Sequence, residues 1–249
     1  MNTQTDALTD RIAAEGFAFV HGPDMRALFA RQGSLADWSE FAASWDDLGL
    51  DTYMADGGRY RKRRHATFRA VADEPIHRAP HQPHYQSRDY NALNGGIARW
   101  FDPVLPEIAA GPSMSTILAT CRMLFERLLP APVWHIEVHQ FRIEARSGVE
   151  GRPTPEGMHR DGVDHVLVLL IGRRNIQSGV TSIHDFSGHR LGEFTLAEPF
   201  DAALVEDARV MHGVTPVEPI DPAHSGFRDV LVVTFRKDDE GKIREVPVA

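Results

Sequence analysis

The sequence predicts an α+β fold in which helices come first and an all-β core follows. Apolar residues recur at helical spacing through the first fifth of the chain. From Val133 onward the spacing changes to every second residue, and short apolar strands follow one another with no helical segment between them. Because such strands pair in antiparallel sheets, we expect a sandwich or a barrel with the N-terminal helices packed outside it.

The part of the chain before residue 59 is predicted to contain three helices and one short strand. Ser34 is placed to cap the third helix and Gly49 to end it. A fourth helix, capped by Ser113 or Ser115, precedes the β core. The predicted helices cover residues 6–15, 23–32, 35–48 and 113–129, and the short strand covers 17–20.

Residues 59–65 concentrate positive charge at the start of the core. The simpler interpretation is a solvated or edge strand. The functional interpretation is a strand whose inward arginines meet an acidic substrate. Binding of nucleic acid is the weakest of the three, because the rest of the chain is acidic.

Residues 75–103 are rich in Pro, His, Gln, Asn and Gly, which predicts a long loop. Long structured loops often cover binding sites, so we expect a lid here, with Tyr90 as a candidate contact to substrate. The chain is then one domain, 1–249, with a helical part at 1–58 and a core at 59–237 that carries the lid.

The predicted strand at 133–143 alternates apolar and polar residues. Trp134 and its alternate neighbours form the core face, and Gln140 and Arg142 continue that face at the end of the strand, where we expect them to form the wall of a substrate pocket. The opposite face is expected to point outwards. The other predicted strands are 166–171, 176–181, 183–186, 191–196, 203–205 and 228–235.

The composition of the chain argues against several classes of partner and location. The chain has 249 residues and a net charge of −8, which argues against nucleic acid or an anionic membrane as its main partner. Its single cysteine, Cys121, excludes an intrachain disulfide. No apolar run approaches the length of a membrane span, and residues 1–10 lack the apolar core of a signal peptide. We therefore expect a cytoplasmic protein that acts on a small molecule, with its oligomeric state left open.

The strongest functional signal is the pair His159 and Asp161, which follows a turn at 154–157. In an extended segment, residues i and i+2 point the same way, so both side chains can reach one metal ion. His212, on a strand-like segment, can supply a third ligand. Two imidazoles and one carboxylate that leave coordination positions open are typical of non-haem Fe(II) oxygenases.

An arginine, Arg228, opens the buried strand that follows His212. A buried arginine is costly unless it has an acidic partner, and a ligand carboxylate could be that partner. The alternative partner is Asp229 or another acid of the chain.

These segments together resemble the bacterial 2-oxoglutarate/Fe(II)-dependent dioxygenase family that contains the free-amino-acid hydroxylases, such as L-isoleucine 4-hydroxylases. The resemblance covers roughly residues 59–237. One departure is Ser178-Gly179-Val180, where relatives are expected to have two glycines and an acid. The segments that carry the resemblance are 139–143, 155–162, 174–176, 212–216 and 228–230.

The resemblance implies a double-stranded β-helix, or jelly-roll, as the core of the α+β fold. It implies His159, Asp161 and His212 as ligands of Fe(II), with Arg228 on the distal carboxylate of 2-oxoglutarate, and O₂ as the second cosubstrate. The implied reaction is hydroxylation or sulfoxidation of a small free amino acid, with release of succinate and CO₂.

Three other interpretations stay open at this point. His135, Glu137 and His139 share one strand face and form a rival, cupin-like metal site. A jelly-roll could bind a small molecule without turning it over. A zinc hydrolase would use the same ligand types and would need a general base, for which only Glu156 is close in sequence.

Four further histidines show no paired spacing and are expected on the surface or in loops. They are His165, His184, His189 and His224.

Overall fold

The computed structural model describes residues 3–91 and 93–238. The predicted helices are present, and the third is shorter than expected. Asp37 turns its side chain away from its own helix and accepts hydrogen bonds from the backbone N and Oγ of Ser113, at 2.8 and 2.6 Å. This contact caps the long helix α5, so neither Ser113 nor Ser115 caps it. The helices are α1 (Thr3–Glu15), α2 (Gly22–Gln32), α3 (Trp38–Ala43), α4 (Pro106–Ala109) and α5 (Pro112–Leu128), with a 3-10 helix at Ser44–Asp47.

The strands form antiparallel sheets. The largest sheet has seven strands in the order β1-β9-β5-β12-β4-β2-β3, and two smaller sheets have the orders β10-β7-β8 and β11-β6. The strands are β1 (Phe17–Val20), β2 (Arg61–Val71), β3 (His77–Arg78), β4 (Val133–Ala145), β5 (His165–Arg174), β6 (Ile176–Ser178), β7 (Val180–His184), β8 (Arg190–Thr195), β9 (Ala202–Glu206), β10 (Met211–Val214), β11 (Val217–Pro219) and β12 (Gly226–Lys237).

The helices cover one face of the seven-stranded sheet. Trp134, Ile136 and Val138 of β4 belong to the same buried cluster as side chains of α1, α2 and α5. Leu231 and Phe235 of β12 join them. The fold is thus α+β, with a sandwich-type core of antiparallel sheets and helices packed outside, as predicted. None of the helices in the described residues has the length and apolar character needed to cross a bilayer.

The opposite face of β4 does not point to solvent, which corrects the sequence interpretation. Glu137 and His139 line a cavity of about 700 Å³ on the inner side of the sheet. Alternation revealed two faces, but both are buried: one against helices and the other around the cavity.

The positively charged strand β2 is also internal, so the solvated-edge interpretation is wrong. It pairs with β4 along its whole length, and residues 49–51 and 102–104 hydrogen-bond to its other side. Arg61 and Arg63 are buried and line the cavity. Arg61 is not free to meet an acidic substrate, because its Nε and Nη2 lie 2.8 and 2.7 Å from the Asp51 carboxylate.

Candidate active site

His159 and His212 lie opposite each other in a short antiparallel bridge. The backbone N of each donates to the carbonyl O of the other, at 3.0 and 2.9 Å. Their rings are 4.5 Å apart, centroid to centroid. The Nδ1 of His159 lies 3.0 Å from the carbonyl of Gly157, which can only accept, so this nitrogen carries the proton. The Nε2 of His159 is then the nitrogen left for a metal ion. Burial lowers the pKa of His159, but Asp161 and Glu156 outweigh it and raise the pKa to about 9, so a metal would displace a proton from Nε2.

The Asp161 carboxylate completes this group. Its Oδ1 lies 3.6 Å from Nε2 of His159, and its Oδ2 lies 3.7 Å from Nε2 of His212. Burial raises the pKa of Asp161, but the two histidines outweigh it and hold the pKa well below its usual range. Burial lowers the pKa of His212 to about 4, aided by the charge of His159. These shifts favour an ionised carboxylate beside a neutral His212, as metal binding requires.

The position of Asp161 is fixed by a second carboxylate. Asp207 accepts hydrogen bonds from the backbone N–H groups of Asp161, Gly162 and Val163, at 2.8, 2.8 and 3.1 Å. Arg160 donates to the carbonyl of Asp207 at 2.7 Å. The turn that presents Asp161 is therefore held by hydrogen bonds to a buried residue far along the chain.

The donor set fits a mononuclear metal. One ligand atom from each of His159, Asp161 and His212 lies within 4.8 Å of the others. A single ion that binds imidazole nitrogen and carboxylate oxygen at about 2.0–2.2 Å can reach all three with small side-chain rotations. The three donors come from two short segments, and Asp161 also lines the cavity, so an ion held there would be reached by ligands from the cavity.

Comparison with known proteins decides the family. A sequence model of the 2OG-Fe dioxygenases matches residues 42–234, which is most of the chain. The chain belongs to the 2OG-Fe dioxygenase family. Its cofactors are accordingly Fe(II), 2-oxoglutarate and O₂, and the non-catalytic and zinc-hydrolase interpretations fall away.

Individual relatives of this dioxygenase agree with the family. It is 27% identical over 241 residues to the 3(1)-hydroxy-L-isoleucine 4-dioxygenase of Pantoea ananatis, covering 92% of this chain and 95% of the relative. It is 26% identical over 194 residues to the L-isoleucine-4-hydroxylase of Bacillus thuringiensis, covering 75% and 80%. Among solved structures, a bsmA homolog from Methylobium petroleophilum matches with a TM-score of 0.85 and 37% identity over 94% of this chain and 93% of that one.

Arg228 lies at the start of β12 and is 2% exposed. Its Nε and Nη2 have no hydrogen-bond partner among the described residues, so the predicted alternative of a pair with Asp229 is wrong. Burial lowers the pKa of Arg228 to about 10, helped by the nearby charge of Arg173. A buried cation without an acid of its own is suited to bind an anionic ligand.

Two predicted substrate contacts lie elsewhere. Gln140 and Arg142 share the face of Trp134, as expected, but that face is the one covered by helices. Gln140 donates to Ser44 Oγ at 2.8 Å, and Arg142 holds the Asp229 carboxylate through Nε and Nη2, both at 2.7 Å. Neither residue lines the cavity, so their prediction as its wall is wrong.

Tyr90 does line the cavity, together with Asp161 and Gly162. Gly162 has φ +78°, and a Cβ on it would lie 2.5 Å from the Tyr90 ring, so the ring packs directly on the backbone beside Asp161. Gln86 of the same loop donates to the Asp161 carbonyl at 3.1 Å. The predicted lid loop is thus attached to the turn that carries Asp161.

The rival metal site has a different composition from the one predicted. His65 and His84 join Glu137 and His139, with ligand atoms within 4.8 Å of one another, whereas His135 stands outside this group. The Nη2 of buried Arg63 lies 2.7 Å from Nδ1 of His139. Because a guanidinium can only donate, Nδ1 accepts and Nε2 of His139 carries the proton toward Glu137. A metal on that Nε2 would require an imidazolate, so the cluster is better described as a hydrogen-bonded network.

Sequence reasoning missed several residues of this region. Asp207 was not identified as a support for Asp161, because the contact joins segments 46 residues apart. His165 was expected at the surface, but it is 2% exposed and stacks on Phe125 with 4.7 Å between ring centroids. Only the apolar strand after His165 could have indicated its burial.

Proposed function

We propose that this dioxygenase hydroxylates a small free amino acid, with Fe(II) bound by His159, Asp161 and His212. The observation that carries the proposal is the convergence of these three side chains next to a cavity large enough for two small ligands. The relatives named as isoleucine hydroxylases support an aliphatic amino acid as the substrate class. Sulfoxidation of a sulfur-containing side chain belongs to the same proposal.

We also propose that Arg228 binds the distal carboxylate of 2-oxoglutarate. Its Nε and Nη2 form one edge of the guanidinium and match the two oxygens of a carboxylate. An unpaired guanidinium is costly to bury, and a bound carboxylate would offset that cost.

The fold that supports this site is proposed to be a single-domain double-stranded β-helix. The seven-stranded sheet and the two smaller sheets would be its two layers, with residues 75–103 acting as the lid. Antiparallel pairing of all the named strands and the placement of His159 and His212 on a bridge between segments outside the large sheet support this arrangement.

In the proposed reaction, the bound iron and cosubstrate supply an oxidation that inserts one oxygen atom of O₂ into a substrate C–H bond while 2-oxoglutarate becomes succinate and CO₂. The contribution of the chain is placement. His159, Asp161 and His212 fix the ion, Arg228 orients the cosubstrate, and the lid around Tyr90 excludes water from the cavity.

The test uses the anaerobic protein with Fe(II) and 2-oxoglutarate. The chelate gives a weak visible charge-transfer absorption, which we expect for the wild type and for the surface control His189→Ala. His159→Ala, Asp161→Ala and His212→Ala should each lose it, together with succinate formation in air, while their circular dichroism is unchanged. Wild-type turnover in any of the three would exclude that residue as a ligand.

A further inference from the structure

Arg99 is a further buried cation, and it lines the cavity beside the candidate metal site. It is 2% exposed and lies on the lid loop, where its backbone N and O pair with those of His84, both at 2.9 Å. The side chain lines the cavity next to Glu137 and Asp161. Two hydrogen bonds fix the backbone of Arg99 at the cavity wall, and the burial of its side chain keeps the guanidinium out of bulk solvent.

The guanidinium of Arg99 presents an unused binding edge. Its Nε and Nη2 are buried and have no hydrogen-bond partner among the described residues. These two nitrogens donate in parallel from one side of the group, which is the side that chelates a carboxylate. Arg142 uses the same two nitrogens to hold the Asp229 carboxylate, at 2.7 and 2.7 Å. The same edge of Arg99 has the geometry to hold a carboxylate in this way, and no carboxylate of the described residues occupies it.

Two of the nearby acids, Asp51 and Glu137, are already engaged by other groups. Asp51 pairs with Arg61 and Arg63. Glu137 contacts His84 and hydrogen-bonds to His135 at 3.2 Å. No acid of the described residues forms an ion pair with Arg99. An anion that pairs with this guanidinium therefore has to come from a ligand that enters the cavity.

Among the residues that the structure describes, two edges of this kind are open, one on Arg228 and one on Arg99. The proposed cosubstrate supplies a distal carboxylate for only one of them. Glu137 and Glu156 also line the cavity, and Oε2 of Glu156 is buried without a hydrogen-bond partner among the described residues. A cavity with one free cationic edge and one free carboxylate oxygen suits a zwitterion better than a simple acid.

We propose that Arg99 binds the carboxylate of the amino-acid substrate through its Nε and Nη2 edge. The proposal rests on the proposed function and adds the residue that recognises the substrate. The primary substrate is then a compound with an intact α-carboxylate, and peptides extended at the C-terminus, amides and amines are excluded.

The test measures binding of L-isoleucine and of L-isoleucinamide, which lacks the carboxylate, by anaerobic calorimetry on protein loaded with Fe(II) and 2-oxoglutarate. Other aliphatic L-amino acids are titrated in the same way. We expect the wild type to bind at least one of the acids, and to bind it at least about tenfold more tightly than its amide, because a bidentate charged contact is lost in the amide. Arg99→Gln should abolish this preference, and Arg99→Lys should retain part of it.

Arg69→Gln is the matched control, since Arg69 also lines the cavity but its side chain is 47% exposed and faces Asp238. It should keep the preference for the acid. All variants should bind 2-oxoglutarate within about threefold of the wild type, as followed by the charge-transfer absorption.

Three outcomes of the amino-acid titrations would overturn the proposal. They are equal wild-type affinity for acid and amide, an unchanged preference in Arg99→Gln, and absence of binding by every acid tested. Weaker 2-oxoglutarate binding in Arg99→Gln, with normal binding in Arg228→Gln, would assign Arg99 to the cosubstrate instead and overturn it too. If the wild type forms no chelate absorption, the proposed function fails separately, and the acid–amide comparison is then made on the metal-free protein, where the same preference and its loss decide the proposal.

Discussion

The carboxylate of Asp207 lies 2.8 Å from the backbone nitrogen of Asp161 and holds the turn that carries this residue toward the two histidines. The geometry of the proposed metal site therefore depends on a residue that would not itself touch the ion. Supporting contacts of this kind commonly affect metal affinity by 10–100-fold.

Asp207→Ala should weaken Fe(II) binding by about 10–100-fold, because three backbone N–H groups lose their acceptor. Equilibrium titration with Fe(II) under argon measures the effect. Asp201→Ala is the matched control: Asp201 also caps backbone N–H groups, of Gly22, Ala197 and Glu198, in another part of the fold. It should lower stability and leave iron affinity unchanged, and equal loss of affinity in both variants would reduce Asp207 to a general structural residue.

Arg228→Gln should raise the KM for 2-oxoglutarate by about 100-fold, since a charged bidentate contact is removed. The KM for the amino acid should change little. Arg174→Gln, an exposed arginine on β5, serves as the control. A rise confined to the amino-acid KM would reassign Arg228.

Iron should bind with a stoichiometry of one per chain. The Arg63 contact to His139 keeps a proton on the nitrogen that faces Glu137, which disfavours a second ion among His65, His84, Glu137 and His139. Metal analysis of His159→Ala after desalting should find almost no iron, whereas His84→Gln should retain it. Retention of one iron by His159→Ala would mean that this network is a metal site.

Protein stability should fall as pH drops from about 6.5 toward 4, and His165 should account for part of the loss. Burial lowers the pKa of His165 to about 4, so below its usual value of 6.5 the unfolded chain takes up a proton that the folded chain does not. This costs about 2 kcal/mol between pH 7.5 and pH 5. His165→Phe should reduce the pH dependence of urea unfolding by that amount, and His224→Phe, at an exposed position, should not.

The order of helices and strands could be predicted because local periodicity determines it. The residues that share each face of β4 were also predicted correctly, with Gln140 on the same face as Trp134. The sequence could not show what packs against that face, because an apolar strand face packs equally well on helices or on a second sheet. Gln140 was therefore assigned to the pocket, and His139 was assigned to the outside.

The positively charged residues of β2 caused the second error, because the sequence suggested that they are solvated. Arg61 and Arg63 resemble solvated residues in the sequence, since their shared partner Asp51 lies in a loop without a recognisable pattern. The proposed metal ligands were easier to recognise in the sequence, because His159 and Asp161 are two residues apart and chemistry restricts the choice of a third. The hydrogen bond from the Asp161 backbone to Asp207 joins two distant segments, and no local sequence pattern indicates it.

The backbone hydrogen bonds between His84 and Arg99 join the two ends of a segment of the predicted lid loop. Residues 84–99 therefore form a cassette, a segment that can be exchanged as one unit. The proposed iron ligands come from other segments of the chain, so, on these proposals, recognition of the substrate carboxylate and binding of iron are encoded in different stretches of the gene. Replacing this cassette with that of a relative, while keeping Gln86 for its contact to Asp161, should change which compound is accepted without rebuilding the metal centre. The loop is accordingly the place where recombination between relatives could create new substrate ranges in a single step.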